Sequence, residues 1–400
     1  MKPSRSDLGA HWGLDPSVVF LNHGSFGATP KVILEEQSAL RARLEAQPVR
    51  FMVRELEAML DAARHELGAF VGARAEDLVF VPNATTGVNA VLGSLALEAG
   101  DELLTTNHEY NACKNVLVAT AAKTGARVVY ADLPWPVADP FDVVEAIVRK
   151  ITPRTRLLLV DHVTSPSAMV LPVAEIAAAA EALGVPVLVD GAHAPGMVDL
   201  DLEALGASYY TANCHKWVCA PKGCAMLWVR REHQARVRPV VTSHGLNSPR
   251  ADRSRFLIEF DWTGTSDPTP FLCLGPCLRF MGSLVPGGWP ALRAKNRALA
   301  LEARALLEDA LGAPSVCPAS MIGSMAAVRI PDGAPEGPRS PLYLDPLQDE
   351  LLARYGIEVP IVGFPAPPRR LVRVSAQLYN TREEYAYLAE ALISLVGRVS

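Results

Sequence analysis

The chain has 400 residues, half of them hydrophobic and a fifth charged, with a formal net charge of −5. This apolar content excludes global disorder, and the weak negative charge gives no electrostatic basis for binding nucleic acid or a membrane surface. The length exceeds what one hydrophobic core usually supports, so we expect one large and one smaller domain.

The composition also bears on compartment and metal content. No run of about 18 apolar residues is present, and the N-terminal residues lack the apolar core of a signal peptide. Seven cysteines are scattered along the chain, which is typical of reduced thiols in a cytoplasmic protein. Cys214, Cys219 and Cys224 are five residues apart, which is not the paired spacing of a zinc site, so no metal is predicted.

Short apolar runs alternate with helical patterns through the middle of the chain. The runs lie at 78–81, 102–105, 127–132, 156–161 and 185–190, and the helical stretches at 86–98, 110–123, 140–149 and 172–183. Strands that alternate with helices predict an α/β fold with a mostly parallel sheet. The runs are apolar on both faces, as strands covered by helices on both sides require.

The sequence changes character near residue 286. A long charged helical pattern is followed by a strand at 324–330, a Pro/Gly-rich loop at 331–342 and a strand pair near 357–375. These elements predict a smaller α+β domain over 286–400. We therefore divide the chain into an N-terminal segment (1–19), a large domain (20–285) and this C-terminal domain.

Lys216 lies between two apolar strand candidates, at 208–212 and 224–229, with His215 and Trp217 on either side. An apolar environment lowers the pKa of a lysine, so more of it is a free amine able to attack an aldehyde. The alternative is a lysine at a strand end that points to solvent, which is the commoner role of this residue type.

Asp190 is the last residue of a predicted buried strand, followed by a glycine turn and by His193. Ligands of open parallel sheets bind beyond the carboxyl ends of the strands, where a carboxylate needs a cationic partner. A protonated pyridine nitrogen is such a partner, and this pairing makes pyridoxal phosphate (PLP) an electron sink. The alternative is an aspartate that caps a helix.

A third segment, 81–97, runs from a strand end through small and hydroxyl residues into a helix. Backbone N–H groups at the helix start, together with the hydroxyls of Thr85 and Thr86, would bind a phosphate dianion. The alternative is an ordinary Thr/Asn helix cap.

These segments, in this order, resemble the class V aminotransferase family of fold-type I PLP enzymes, from about Phe20 to Tyr379. Within the family the sequence is most similar to the isopenicillin N epimerase-like branch. The motifs that carry the resemblance are FLNHGSFGATP (20–30), NATTGVN (83–89), NHEYNA (107–112), VDGAHAPG (189–196), CHKW (214–217), WTGTSDPTP (262–270) and RVSAQLYN (373–380). The resemblance implies a seven-stranded sheet, an N-terminal segment that packs near the small domain and the active site, and PLP as cofactor.

The resemblance also implies residue roles. Lys216 matches the Schiff-base lysine and proton carrier, Asp190 the partner of the pyridine nitrogen, His193 a residue that orients the ring, and Tyr110 the group stacked on it. The remaining implied cofactor contacts are Thr85, Thr86, Asn213 and His215 at the phosphate and Thr164 near the ring oxygen. Gly264 and Thr265 match a phosphate contact from the other subunit, which implies a homodimer.

Arg373 looks like the arginine that binds the α-carboxylate of an amino-acid substrate. Asn22, His23 and Ser25 lie on the segment that family members fold over the site; the alternative for them is a loop turn formed with Gly24 and Gly27.

Two departures from the family pattern stand out. Asn213 replaces a common serine, and the loop at 331–342 has no cysteine, whereas desulfurases need a nucleophilic one there. Cys317 is nearby, but it precedes a strand and is expected in the core.

The reaction depends on which bond of the α-carbon breaks. Epimerisation of an amino-acid-bearing substrate is the first interpretation, with His23 and His244 as candidates for a second base. A carbon–sulfur lyase or desulfurase is the second and an aminotransferase the third. A Rossmann-type nucleotide binder or a non-catalytic binding protein would share the α/β pattern. The sequence contains neither a G-x-G-x-x-G after the first strand nor a P-loop.

Overall fold

The computed structural model describes residues 2–335 and 345–399. Most of the predicted loop at 331–342 therefore lies outside the described residues. The described strands are β1 (Val19–Phe20), β2 (Leu78–Val81), β3 (Glu102–Thr106), β4 (Arg127–Ala131), β5 (Thr155–Asp161), β6 (Val187–Asp190), β7 (Tyr209–Asn213), β8 (Ala225–Val229), β9 (Met325–Ile330), β10 (Ile357–Glu358), β11 (Ile361–Gly363) and β12 (Arg370–Ser375).

Seven strands form one large sheet in the order β2-β8-β7-β6-β5-β3-β4. The pairs from β7 to β4 are parallel, and β8 runs antiparallel to both of its neighbours. The predicted α/β class with a mostly parallel seven-stranded sheet is thus confirmed. Strands β6, β7 and β8 are buried along their whole length, because helices cover both faces of the sheet.

The helices are α1 (His23–Phe26), α2 (Lys31–Ala46), α3 (Leu56–Val71), α4 (Ala84–Gly93), α5 (Asn111–Thr124), α6 (Pro140–Val148), α7 (Val173–Ala182), α8 (Arg231–Gln234), α9 (Arg255–Asp261), α10 (Thr269–Leu272), α11 (Leu274–Ser283), α12 (Gly288–Leu311), α13 (Pro346–Glu350) and α14 (Arg382–Val396). Among the described residues no single helix is long and apolar enough to cross a membrane; α10–α11 and α12 reach that length and composition only as a pair bent by 69°.

A second, smaller sheet follows α12 in the order β11-β12-β9, and both of its pairs are antiparallel. The N-terminal segment is joined to this part of the chain. Strand β1 pairs in parallel with β10, and the Ser6 N–H donates to the Tyr379 carbonyl oxygen at 3.1 Å. Trp12 is buried against Tyr379, with ring centroids 5.2 Å apart.

The carboxyl ends of the parallel strands meet at one edge of the large sheet. Asp161 ends β5, Asp190 ends β6 and Asn213 ends β7. Helix α4 begins at the same edge and packs directly on β7, since a Cβ at Gly87 would lie 2.1 Å from Thr211 Oγ1. This packing leaves no room for a side chain at position 87, and it fixes the first turn of α4 beside Asn213.

Candidate active site

Lys216 lies in the loop between β7 and β8, at the carboxyl edge of the sheet. Its Nζ is 3.1 Å from His193 Nε2. Burial, and then the positive charge of Arg373, lower the pKa of Lys216 to about 8. With this pKa roughly a tenth of the amine is neutral at pH 7, far more than for an ordinary lysine, and the neutral form is the one that a nucleophile or a general base requires.

The hydrogen bonds of His193 fix its tautomer. Trp217 Nε1 can only donate, and it lies 3.3 Å from His193 Nδ1, so Nδ1 is the acceptor. Burial and the charge of Lys216 hold the pKa of His193 well below its ordinary value, so the ring is neutral and carries its proton on Nε2. His193 Nε2 can therefore donate to Lys216 Nζ only when Lys216 is an uncharged amine, so this contact favours the amine over the ammonium form.

Asp190 is 3% exposed at the end of β6. Its Oδ1 accepts from the Ala192 N–H at 2.9 Å, and its Oδ2 accepts from Cys113 Sγ at 3.2 Å. Burial raises the pKa of Asp190, whereas these hydrogen bonds and the nearby charge of Lys216 favour its ionised form. These hydrogen bonds hold the Asp190 carboxylate in place near Lys216. Asp190 ends β6, and Lys216 follows β7, the parallel strand beside β6.

Polar groups gather around the start of α4. Asn213 Oδ1 accepts from the Ala84 N–H at 2.8 Å. The Thr86 N–H and hydroxyl both donate to Asn83 Oδ1, so Thr86 takes part in the helix cap that was the alternative prediction. Thr85 is partly exposed, and no hydrogen bond from its hydroxyl is found within the described part of the chain. His215 is partly buried, with Nδ1 3.0 Å from the Cys224 carbonyl oxygen.

Arg373 comes from β12 of the smaller sheet and is 5% exposed. Its two terminal nitrogens donate to the Ser165 carbonyl oxygen at 2.5 Å and to Ser25 Oγ at 3.0 Å. Its buried Nε has no partner among the described residues. Burial lowers the pKa of Arg373 to about 10, which still leaves a charged guanidinium at neutral pH without an anionic partner in the described residues.

The N-terminal residues predicted to contact substrate have different surroundings. Ser25 Oγ donates to Asn22 Oδ1 at 2.5 Å, and Asn22 Nδ2 donates to Glu358 Oε1 at 3.2 Å. Asn22 therefore holds Ser25 in the position in which it accepts the hydrogen bond from Arg373. His23 is fully buried. Its Nδ1 is 2.8 Å from the Tyr379 hydroxyl and its Nε2 is 3.0 Å from the Lys216 carbonyl oxygen.

The expected substrate-binding role of His23 is therefore corrected. Both ring nitrogens are occupied, and burial lowers the pKa of the imidazole to about 3. His23 instead holds the main chain at Lys216. The close approach of the N-terminal segment depends on Gly27, whose φ is +69° and where a Cβ would lie 2.1 Å from the His215 carbonyl oxygen.

Two further predicted residues, Tyr110 and Thr164, gain a structural context. Tyr110 is 43% exposed at the start of α5; partial burial of its hydroxyl, followed by the charges of Cys113 and Asp190, raises its pKa, and the charge of Arg373 opposes this shift. The Thr164 hydroxyl is fully buried and hydrogen-bonded to Ser167 Oγ at 2.7 Å and to the Met169 N–H at 2.9 Å. These bonds give Thr164 a role within its own turn in place of the expected ring contact.

None of the remaining candidates has a hydrogen bond to Lys216 among the described residues. Gly264 and Thr265 are on an exposed loop, and no hydrogen bond from either reaches the residues of this protomer's site within the described chain. His244 is exposed beside Met52 and Leu56 and has no contact with Lys216 among the described residues, so its role as a second base stays a prediction. Cys317 is 3% exposed, as expected of a core residue, and burial raises its pKa to about 11.

Sequence reasoning missed several residues at this edge of the sheet. Glu109, Cys113 and Asp161 are buried beside Asp190, and Ser165 binds Arg373. Glu109 lies inside the NHEYNA motif, and Asp161 ends a predicted strand as Asp190 does, so both carried a usable signal. Cys113 faces Asp190 from α5, and its sequence neighbours give no indication of that contact.

The donor set fits PLP. The site offers a buried carboxylate for the pyridine nitrogen and a lysine amine for the aldehyde. It also offers polar groups at a helix start for the phosphate. The unpartnered Arg373 Nε adds a donor for an anionic substrate. Fold and site together define a fold-type I PLP enzyme.

Comparison with known proteins agrees with this class. Residues 19–308 match the aminotransferase class-V family, and the chain belongs to that family and is PLP-dependent. It is 35% identical to isopenicillin N epimerase of Streptomyces clavuligerus over 96% of both chains. It is 31% identical to a probable chloroplastic L-cysteine desulfhydrase of Arabidopsis thaliana, over 96% of this chain and 84% of that one. The cystine C-S lyase C-DES, solved with its reaction product cysteine persulfide, superposes with a TM-score of 0.78 at 21% identity, over 95% and 98% of the two chains.

Proposed function

We propose that this enzyme acts at the α-carbon of an amino-acid substrate, with Lys216 as the residue that binds PLP and moves the α-proton. The observation that carries this proposal is the 3.1 Å contact between Lys216 Nζ and His193 Nε2, beside the buried carboxylate of Asp190. A general base must be deprotonated before the reaction begins, and this contact selects the deprotonated form.

The cofactor would be held by groups from several elements. Asp190 would bind the pyridine nitrogen, Thr85 and Asn213 the phosphate, and Tyr110 would cover one face of the ring. When bound, PLP withdraws electrons from the α-carbon of an attached amino acid and so makes the bonds at that carbon easier to break. Thr265 would complete the phosphate site from a partner subunit, so we propose a homodimer.

Arg373 would bind the substrate α-carboxylate. A bidentate arginine–carboxylate pair fixes both position and orientation. The Asn22–Ser25 pair and the Ser165 carbonyl oxygen keep the guanidinium in place before substrate arrives. With the carboxylate fixed, Lys216 is the base positioned to take the α-proton and to return it.

Epimerisation at the α-carbon is the first candidate outcome, and similarity to isopenicillin N epimerase over nearly the whole chain supports it. Elimination by a carbon–sulfur lyase is the second, because it needs one base, and neither histidine considered as a second base contacts the Lys216 amine within the described residues of this protomer. His23 is buried with both nitrogens bonded, and His244 lines an exposed groove with Trp262. A desulfurase with a cysteine nucleophile is disfavoured, because all seven cysteines are buried. Transamination ranks third.

The first experiment tests Lys216. We expect purified protein reconstituted with PLP to show a visible absorbance band that is lost on borohydride reduction, and Lys216→Ala to lack the band and to turn over at least about a thousandfold more slowly. Lys150→Ala, an exposed lysine after α6, is the control and should behave as wild type. Repeated turnover by a correctly folded Lys216→Ala variant would contradict the assignment.

The second experiment separates the outcomes. Candidate amino acids are incubated with enzyme in deuterated water, and products are followed by NMR and chiral chromatography. Deuterium at the α-carbon together with both stereoisomers indicates epimerisation. Release of sulfide, ammonia and an oxo acid indicates elimination, and an oxo acid with transfer of the amino group to PLP indicates transamination. Failure of every candidate amino acid to exchange its α-proton would oppose the proposed function.

A further inference from the structure

Two buried carboxyl groups accompany Asp190 at the carboxyl edge of the sheet, and neither has a place in the mechanism above. Asp161 ends the neighbouring strand and pairs in register with Asp190. Glu109 lies in the turn after β3, which is the next strand of the sheet. All three side chains are 2–3% exposed.

Glu109, Cys113 and Asp190 are in direct proximity. One polar atom from each lies within 4.8 Å of the other two, and Cys113 Sγ donates to Asp190 Oδ2 at 3.2 Å. Asp161 Oδ2 is buried without a hydrogen-bond partner among the described residues. Three ionised carboxylates in such a space would repel one another and lose their hydration, so protons must neutralise part of the charge.

The hydrogen bonds set Asp161 apart from the other two groups. Asp190 accepts from a backbone N–H and from a thiol, both of which stabilise the carboxylate. Glu109 accepts from the Tyr110 N–H and from the Thr105 hydroxyl, each at 3.1 Å. Asp161, with an unpartnered oxygen, is the least stabilised as an anion. Between the other two, the positive charge of Lys216 favours the Asp190 anion, so Glu109 is the member that can exchange its proton, while Asp161 stays protonated.

Other titratable groups near Glu109 do not remove this need for a proton. Lys114 is close enough to favour the anion, but its Nζ donates to the Asn107 carbonyl oxygen at 2.9 Å. Burial, followed by the negative charge of Asp190, raises the pKa of Glu109 to about 8. The titratable and charged groups around the cluster are Asp161, Asp190, Cys113, Lys114 and Tyr130, with Lys216 and Arg373 beyond Asp190.

We propose that Glu109 is a positioning residue that acts through Asp190: its protonated carboxyl leaves Asp190 as the ionised acid of the cluster, facing the pyridine nitrogen. The inference rests on the proposed role of Asp190. When Glu109 loses its proton at higher pH, a second negative charge lies behind Asp190. That charge stabilises positive charge at the cofactor and so raises the pH at which the bound cofactor loses its own proton.

The test uses the PLP-loaded wild type, Glu109→Gln and the control Glu102→Gln. Glu102 is a buried carboxyl at the opposite end of the same strand, β3. The visible absorbance of the bound cofactor is titrated from about pH 6 to pH 10, and the Kd for PLP is measured near pH 7. Glutamine has the shape of a protonated glutamate, so we expect a Kd within about threefold of wild type and a titration midpoint lower by about half a pH unit or more. Glu102→Gln should leave the midpoint unchanged.

An unchanged midpoint in Glu109→Gln would overturn the proposal, as would a folded variant that loses PLP near pH 7, since the ionised form would then be the one required. Thr105→Val covers the case in which Glu109→Gln does not fold. It removes a donor to the Glu109 carboxylate and should also lower the midpoint, and no shift would be contrary evidence. Absence of a lysine-dependent band in wild type would instead refute the proposed function, so the two failures are distinguishable.

Discussion

At the scale of single residues, the hydrogen bond between His193 and Lys216 explains how a lysine can be reactive at neutral pH. The indole N–H of Trp217 leaves His193 only one way to use its second nitrogen, which is to donate to the lysine. Charge repulsion from Arg373 adds to this effect. Three neighbours therefore favour the neutral amine, and two of them, His193 and Trp217, were recognised in the sequence only as flanking or family residues.

Arg373 provides a second residue-scale prediction. Arg373→Ala should raise KM for an amino-acid substrate about tenfold or more, because one or more charge-assisted hydrogen bonds are lost, while the Kd for PLP changes less than about threefold. Arg373→Lys keeps the charge but not the bidentate geometry, so its KM should lie between those of the wild type and Arg373→Ala. Steady-state kinetics and PLP titration measure the two effects. Equal loss of substrate and cofactor binding would indicate a purely structural arginine.

Polar contacts of single residues were the least predictable part of the site. Lys216, Asp190 and His193 follow or end strands at one edge of the large sheet, whereas Arg373 lies within β12 of the smaller sheet. His23 was misread because its two partners, Tyr379 and the Lys216 carbonyl oxygen, are distant in sequence and invisible in a local motif. The Thr164 hydroxyl likewise turned inward to bonds that only the folded loop provides.

At the scale of elements, the strands of the large sheet were predictable to within about two residues, because buried parallel strands are short, continuous apolar runs. The run at 127–132 became β4 (Arg127–Ala131), and the run at 156–161 became β5 (Thr155–Asp161). Strand order was not predictable from these runs. The antiparallel direction of β8 also depends on tertiary packing, since its residues are as apolar as those of the parallel strands.

Helix starts were predicted about as accurately as strands, to within two residues. The helix expected at 86–98 begins two residues earlier, at Ala84, because Asn83 caps it and Asn213 binds the Ala84 N–H. One of these two partners is 129 residues away in sequence. The start matters functionally, since it brings the first turn of α4 to the carboxyl end of β7, where the phosphate is proposed to bind.

At the scale of the whole molecule, the N-terminal segment connects stability to the lysine. Trp12 packs on Tyr379, whose hydroxyl binds His23, and His23 binds the main chain of Lys216. Trp12→Ala should cost about 3–5 kcal/mol in the free energy of unfolding and, in addition, speed PLP dissociation, because Tyr379 loses its support. Thermal denaturation and cofactor release measure the two effects.

Trp289→Ala is the matched control for this prediction. Trp289 packs on Phe70 and donates to the Leu278 carbonyl oxygen, with no contact to the lysine loop among the described residues. It should lower the free energy of unfolding without changing PLP release at a temperature where the protein is folded. Identical PLP release from the two variants would show that the Trp12–Tyr379–His23 chain of contacts has no bearing on the site.

The imidazole of His23 bridges two parts of the polypeptide that a moving enzyme would otherwise shift independently: the turn that holds Lys216 and the segment after β12 that contains Tyr379. Any displacement of the smaller sheet must either carry the first two dozen residues along or break a fully enclosed hydrogen bond. The N-terminal segment therefore limits how far Arg373 can move away from the Lys216 amine.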